Sequence, residues 1–370
     1  MSLSIAIIGL PNVGKSTLFN VLTGSDILAA NYPFATIEPN TGIVPVPDER
    51  LSKLADIYHT EKIIPATVKF TDIAGLVKGA STGEGLGNKF LANIRECDAI
   101  IHIVRAFDNP NILRHDQTPT TPARDIDIIN TELALADLQT LERHIPKVEK
   151  EAKANPKKRA ELEELRQLQE VLNTGNLRHS RPDRESSHDE PQIASVVATQ
   201  LGLLATKPVI YAFNMSEDDL ADETKKAELQ KLVAPTQCVF ISAKMEEDLK
   251  GLDDTDAREL LSSYGVAETG LAQMIHAAYQ TLGLQSYLTA GPKEVRAWTI
   301  HKGWTAPQAA GVIHTDFEKG FIAAQIIDYD DLIAAGSEAA ARAAGKLRTE
   351  GRDYVMQPGD VVEFRFNVSK

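Results

Sequence analysis

Eight residues constrain this chain more than any others. Gly9-Leu10-Pro11-Asn12-Val13-Gly14-Lys15-Ser16 follows the apolar run Ile5-Ala6-Ile7-Ile8 and precedes Thr17-Leu18-Phe19-Asn20-Val21-Leu22, the start of an amphipathic helix. A G-x-x-x-x-G-K-S spacing set between a strand and a helix is a phosphate-binding loop. Its glycines let the backbone turn tightly, so that successive N–H groups and a helix N-terminus converge on phosphate oxygens. Lys15 then supplies a point charge at the β- and γ-phosphates, and the Ser16 hydroxyl is placed to ligate Mg²⁺. Asn12, Val13, Gly14, Lys15, Ser16 and Thr17 are therefore expected to surround a nucleoside triphosphate, in an α/β fold with a mostly parallel sheet.

The 370 residues are enough for two or three domains, and their net charge of −13 should repel bare nucleic acid and anionic lipid. Contact with RNA must then use a local basic patch. Cys97 and Cys238 are the only cysteines, too few for a disulfide framework or a zinc site, which fits a reducing cytoplasm. The first apolar run leads straight into the phosphate loop with no basic segment ahead of it. Neither a signal peptide nor a membrane span is expected.

Further motifs come in the order found in guanine-nucleotide proteins. The strand Thr67-Val68-Lys69-Phe70-Thr71 ends in Asp72-Ile73-Ala74-Gly75, where Asp72 can hold Mg²⁺ and the Gly75 N–H can sense a γ-phosphate. Residues 79–87 hold four glycines and read as a switch loop that nucleotide could order. Thr36, in a loop between two prolines, is placed to complete the Mg²⁺ shell. After the strand at 208–213 comes Asn214-Met215-Ser216-Glu217, where guanine recognition would use Asn-Lys-x-Asp. Met215 and Glu217 weaken selectivity for guanine, while Asn214 can still accept from an adenine amine or donate to a ring nitrogen. Ser242-Ala243-Lys244 comes after the strand at 238–241 and would bring the Ala243 N–H near the base.

Between Asp125 and Val148, apolar residues recur at three- and four-residue steps, and Leu162, Leu165, Leu168 and Leu172 repeat the pattern after Asn155-Pro156. Two such helices joined by a proline turn predict an antiparallel coiled-coil hairpin. Its tip carries Lys147, Lys150, Lys153, Lys157, Lys158 and Arg159 among glutamates. That tip is either a solvated charged end or a contact for RNA. From about residue 284 short strands and turns predict a small ubiquitin-like module. Leu76 stands where Ras-like enzymes place a water-orienting glutamine, so hydrolysis needs another residue, a partner, or is slow.

The phosphate loop, residues 31–40, residues 72–80, Asn130-Thr131-Glu132-Leu133, the 214–217 motif and the C-terminal stretch around 309–321 together resemble the YchF-type Obg-like ATPases over essentially the whole chain. The resemblance implies a nucleotide-binding domain at 1–283, a helical arm inserted at 125–180 and a C-terminal TGS domain at 284–370. It also implies an ATPase that prefers ATP to GTP and associates with the ribosome. It further carries a catalytic histidine onto a loop where His115 or its neighbour Arg114 fits. In cation-dependent relatives of the fold a K⁺ ion bridges protein and phosphates at the position of Asn12, whose other reading is a turn-stabilising amide. A monomer is expected. Two other readings are a nucleotide-gated binding module with negligible hydrolysis, or a GTPase; a small-molecule kinase is disfavoured by the arm and the base-side motifs.

Overall fold

The computed structural model describes residues 4–24, 40–73, 86–108, 121–174 and 196–367. Its strands, in chain order, are β1 (Ser4–Ile8), β2 (Thr41–Pro45), β3 (Ile63–Ile64), β4 (Thr67–Asp72), β5 (Ala99–Arg105), β6 (Val209–Asn214), β7 (Cys238–Ile241), β8 (Leu284–Ala290), β9 (Val295–His301), β10 (Phe321–Asp328), β11 (Arg348–Glu350) and β12 (Asp360–Phe366). The helices of the first half are α1 (Lys15–Thr23), α2 (Arg50–Tyr58), α3 (Leu86–Glu96), α4 (Pro122–Ala152) and α5 (Lys157–Asn173).

One sheet runs β2-β4-β1-β5-β6-β7, parallel except where β2 pairs antiparallel with β4. Its central strands are near-continuous apolar runs because helices cover both faces. Every residue of β5 and β6 is buried. Parallel pairing sends the C-terminal ends of β1, β4, β6 and β7 to one edge, where ligands bind in open α/β sheets. The α/β class with a mostly parallel sheet is the one expected.

The arm departs from its expected limits in an instructive way. Helix α4 starts at Pro122 under a Thr121 cap, continues to Ala152 and passes through Pro146. Ile126, Ile129 and Leu133 of its first half belong to the main core. Leu141, Ile145 and Val148 instead pack with Leu165, Leu168 and Leu172 of α5, forming the antiparallel hairpin's own core. The turn at 153–156 closes with the Asn155 side chain accepting from the Lys157 N–H at 3.1 Å.

The second sheet runs β11-β10-β12-β8-β9-β3. A β8–β9 hairpin, a parallel β8–β12 pair and the helix Ala306–Ile313 laid on one face give a ubiquitin-like arrangement. Its outermost strand comes from far upstream: β3 pairs parallel with β9, Ile63 against Val295 and Ile64 against Arg296. Leu51, Leu54 and Ala55 of α2 share one continuous core with Leu288, Val295 and Ala297. Polar ties reinforce it, from Lys62 to Glu294 at 2.6 Å and from Tyr58 to Glu338 at 3.3 Å. The expected boundary at residue 284 is thus crossed by the segment 50–64, which packs with the C-terminal module.

Candidate functional site

The phosphate loop is built from β1 upward. A Cβ on Gly9 would lie 2.7 Å from the Ile103 carbonyl oxygen of β5, so only glycine lets the chain leave the sheet there. Asn12 and Gly14 adopt left-handed conformations, at φ 63° and 92°. That requirement suits asparagine and glycine. Gly14 is the N-cap of α1 and no side chain caps the helix. By contrast, Thr121, Asp222, Ser242, Asp253 and Thr269 each cap the next helix with a side-chain oxygen. The donors of the α1 N-terminus are thereby left for an anion.

Asn214, 3% exposed at the end of β6, ties this loop to the base-side loop. Its Nδ2 donates to the Val13 carbonyl at 2.9 Å, and its Oδ1 accepts from the Ala243 N–H at 2.9 Å. These bonds show what Asn214 and Ala243 do within the frame. The Ala243 N–H donates to Asn214, and the Asn214 amide keeps one further donor and one further lone pair, because joining two loops in a buried place takes one of each. Val13 supplies a carbonyl to this link, and its side chain is buried. Ser242, also buried, caps the helix Ala243–Asp248 by accepting from the Met245 N–H. Met215 lies in the core, its N–H bonded to the Ile241 carbonyl at 2.8 Å.

Lys15 and Asp72, each with a side chain 11% exposed, form an ion pair. The groups expected at the phosphates and at Mg²⁺ thus stand within one charge–charge contact. Ser16 is exposed and Thr17 half-buried in the first turn of α1 beside them. On the base side Glu217 Oε1 lies 2.5 Å from Lys244 Nζ, with side chains 15% and 74% exposed. Burial raises the Glu217 pKa, but the Lys244 hydrogen bond, the residue's own backbone N–H and the Lys244 charge together leave it below its usual value. Lys244 was legible only as the end of a common tripeptide. An opposite charge waiting at Glu217 was the signal that could have singled it out.

Two buried carboxylates hold the frame rather than the ligand. Asp137 of α4 accepts from the Leu204 and Ala205 N–H groups at 2.9 and 2.8 Å, fixing the turn that feeds β6. Burial pushes its pKa up to about 6 against those hydrogen bonds. Glu246, 2% exposed, accepts from the Gly270 N–H at 2.6 Å at the start of the helix Gly270–Thr281, and burial pushes its pKa up to about 7. Thr36, Gly75, Leu76, Arg114 and His115 lie outside the described residues. Among the described residues no three His, Cys, Asp or Glu side chains converge as metal ligands.

A phosphate loop on β1, an acid on β4, and paired base-side loops on β6 and β7, all at one edge of a parallel sheet, define a P-loop nucleoside-triphosphate-binding protein of the guanine-nucleotide-protein type. Residues 4–132 match the family model described as 50S ribosome-binding GTPase, and residues 284–367 match the YchF GTPase C-terminal model, described as a protein of unknown function (DUF933). The chain is 47% identical over 374 residues to the Ribosome-binding ATPase YchF of Bacillus subtilis and 50% identical over 372 residues to that of Haemophilus influenzae, covering 100% of both sequences in each case. The solved structure of the Schizosaccharomyces pombe YchF GTPase superposes with a TM-score of 0.84 at 39% identity, covering 98% of each chain. The chain belongs to the YchF family.

Proposed function

We propose that this protein binds and hydrolyses ATP in preference to GTP and acts on the ribosome. The observation that carries the reading is the single edge at which Lys15, Asp72, Asn214 and Glu217 meet. Glu217 stands where guanine recognition calls for aspartate, and Met215 where it calls for lysine. The two bacterial relatives carry the name ribosome-binding ATPase, while the yeast structure is titled a GTPase. Titration with fluorescent ATP and GTP analogues tests base choice, and a clear GTP preference would overturn it.

The fit to Mg·ATP rests on a left-handed Gly14 with no room for a side chain, uncapped donors on α1, and Lys15 within reach of Asp72. Ser16, Asp72 and Thr36 would hold Mg²⁺, which neutralises charge on the phosphates. Lys15 then moves from Asp72 to the phosphate oxygens, and the backbone N–H groups of the loop orient them for attack by water. With Leu76 unable to polarise that water, His115 serves, with Arg114 the alternative. A K⁺ ion beside Asn12 is proposed to add positive charge. Exchanging K⁺ for Na⁺ at constant ionic strength should slow turnover. His115→Ala should lower turnover by roughly 10²-fold with ATP affinity unchanged. The exposed lysines at the arm's tip are proposed to meet ribosomal RNA, in a cytoplasmic, monomeric protein.

A nucleotide-gated module with negligible hydrolysis is the second reading, favoured by Leu76. Single-turnover measurements with ribosomes separate the two.

A further inference from the structure

Several polar groups converge at the base-side edge, and some of them tie the frame together. The Asn214 amide joins Val13 to Ala243, and the Ala243 N–H is its partner. Nearby Asp219 is taken up by Lys225 at 2.6 Å and by the Ser216 hydroxyl at 2.5 Å. The charged pair at the position of guanine recognition is Glu217, 15% exposed, and Lys244, 74% exposed.

The two purines present opposite edges to such a pair. Guanine offers N1–H and an exocyclic amine, two donors that an unengaged carboxylate accepts together. Adenine offers the N1 lone pair and a C2–H, which a bare carboxylate repels. Glu217 is not bare, because the Lys244 ammonium is seated 2.5 Å from its Oε1. An ammonium carries three donors, so after bonding Glu217 two remain.

We propose that Lys244, held by Glu217, is a specificity-determining residue: its ammonium turns the acceptor edge of a guanine site into a donor edge that meets adenine N1 and opposes the guanine N1–H. This deepens the ATP-preferring reading and rests on it, since the base must lie at this edge. Glu217 sets the position of the ammonium, and Lys244 makes the contact. Met215, where a lysine would otherwise stand, is buried in the core and brings no second cation.

The test compares ATP, GTP and 1-deaza-ATP, in which adenine N1 is replaced by C–H, on the full-length protein and on Lys244→Met, which keeps the stem and removes the charge. In the unaltered protein 1-deaza-ATP should bind roughly fivefold more weakly than ATP, the size of a charge-assisted hydrogen bond discounted for exposure. In Lys244→Met that penalty should vanish, and the ratio of ATP to GTP affinity should fall by roughly five- to tenfold as Glu217 becomes available to guanine. Lys225→Met, which removes a cation paired elsewhere, should change neither. An unchanged ratio in Lys244→Met, an equal loss of ATP and GTP, or a persisting 1-deaza penalty would each overturn the proposal. Failure of the underlying reading looks different: the unaltered protein would not prefer ATP at all. Lys244 is a surface residue, and a melting curve for the variant confirms that it is folded.

Discussion

Replacing Gly14 with alanine puts a methyl group into space that Asn214 already fills. A Cβ on Gly14 lies 2.3 Å from Asn214 Nδ2 and 3.4 Å from the Ala243 Cβ, on a residue whose φ is +92°. The left-handed backbone alone costs a non-glycine residue roughly 1–2 kcal/mol. Relieving the clash means moving the Asn214 amide, whose two hydrogen bonds contribute about 1 kcal/mol each, and more where Val13 and Ala243 are left buried without partners. The total is about 3–5 kcal/mol, or roughly 10²–10⁴-fold in nucleotide affinity if the loop conformation carries all of it. A double-mutant cycle separates the terms. In Asn214→Ala the obstructing amide is gone, so adding Gly14→Ala should then cost only its backbone strain. The two changes should couple by about 2 kcal/mol, measured by urea unfolding and again by ATP titration. Additivity within about 0.5 kcal/mol in both assays would refute the claim that Asn214 is the brace of the loop.

Lys15→Ala should abolish Mg·ATP binding measured by titration while the far-ultraviolet spectrum stays the same; normal turnover would place the active site elsewhere. Glu246 has a folded pKa of about 7 against an ordinary value of 4.5, so its contribution to stability is full below pH 4.5 and is lost as pH rises through 7. The loss is roughly 2–4 kcal/mol, and Glu246→Gln should flatten that part of the stability profile in urea titrations from pH 4.5 to 8; parallel profiles would contradict it. Changing Lys147, Lys150, Lys153 and Lys157 to alanine should weaken ribosome binding and lower the slope of log affinity against log salt by about three units, with basal ATP turnover untouched. A salt dependence equal to that of the unaltered protein would remove the arm's tip from the contact.

Contiguous sequence makes the phosphate loop legible, because strand, glycines, lysine and helix carry their meaning within a single short stretch. The brace at Asn214 is not legible in the same way. Its partners Val13 and Ala243 lie 201 and 29 residues away, and only the parallel sheet brings them together. The arm's two helices are legible from their periodicity, yet that periodicity places the first turns in the hairpin when they belong to the main core. Ile126, Ile129 and Leu133 have the same three- and four-residue spacing as Ile145 and Val148, so the pattern cannot say which surface each set covers. Thr121-Pro122, a capping residue and then a first-turn proline, does mark the true start. Strand β3 is two residues long and shows no alternation at all; Ile63 and Ile64 are strand only because Val295 and Arg296 pair with them. Likewise the opposite charges of Glu217 and Lys244 can be read in advance, and the fold shows that the two meet.

The late partner of β3 sets a clock on synthesis. Ile63 and Ile64, with the apolar face of α2, emerge early from the exit tunnel, while the strand that receives them is made only near the end of the chain. At roughly 5–20 residues per second the interval is about 10–50 s. During it Leu51, Leu54 and Ile63 lack the cover that β8 and β9 give them, and the contact they await is among the longest in the molecule. The nascent chain therefore carries a sticky stretch between two finished strands of its nucleotide-binding sheet. A chaperone has that window in which to act.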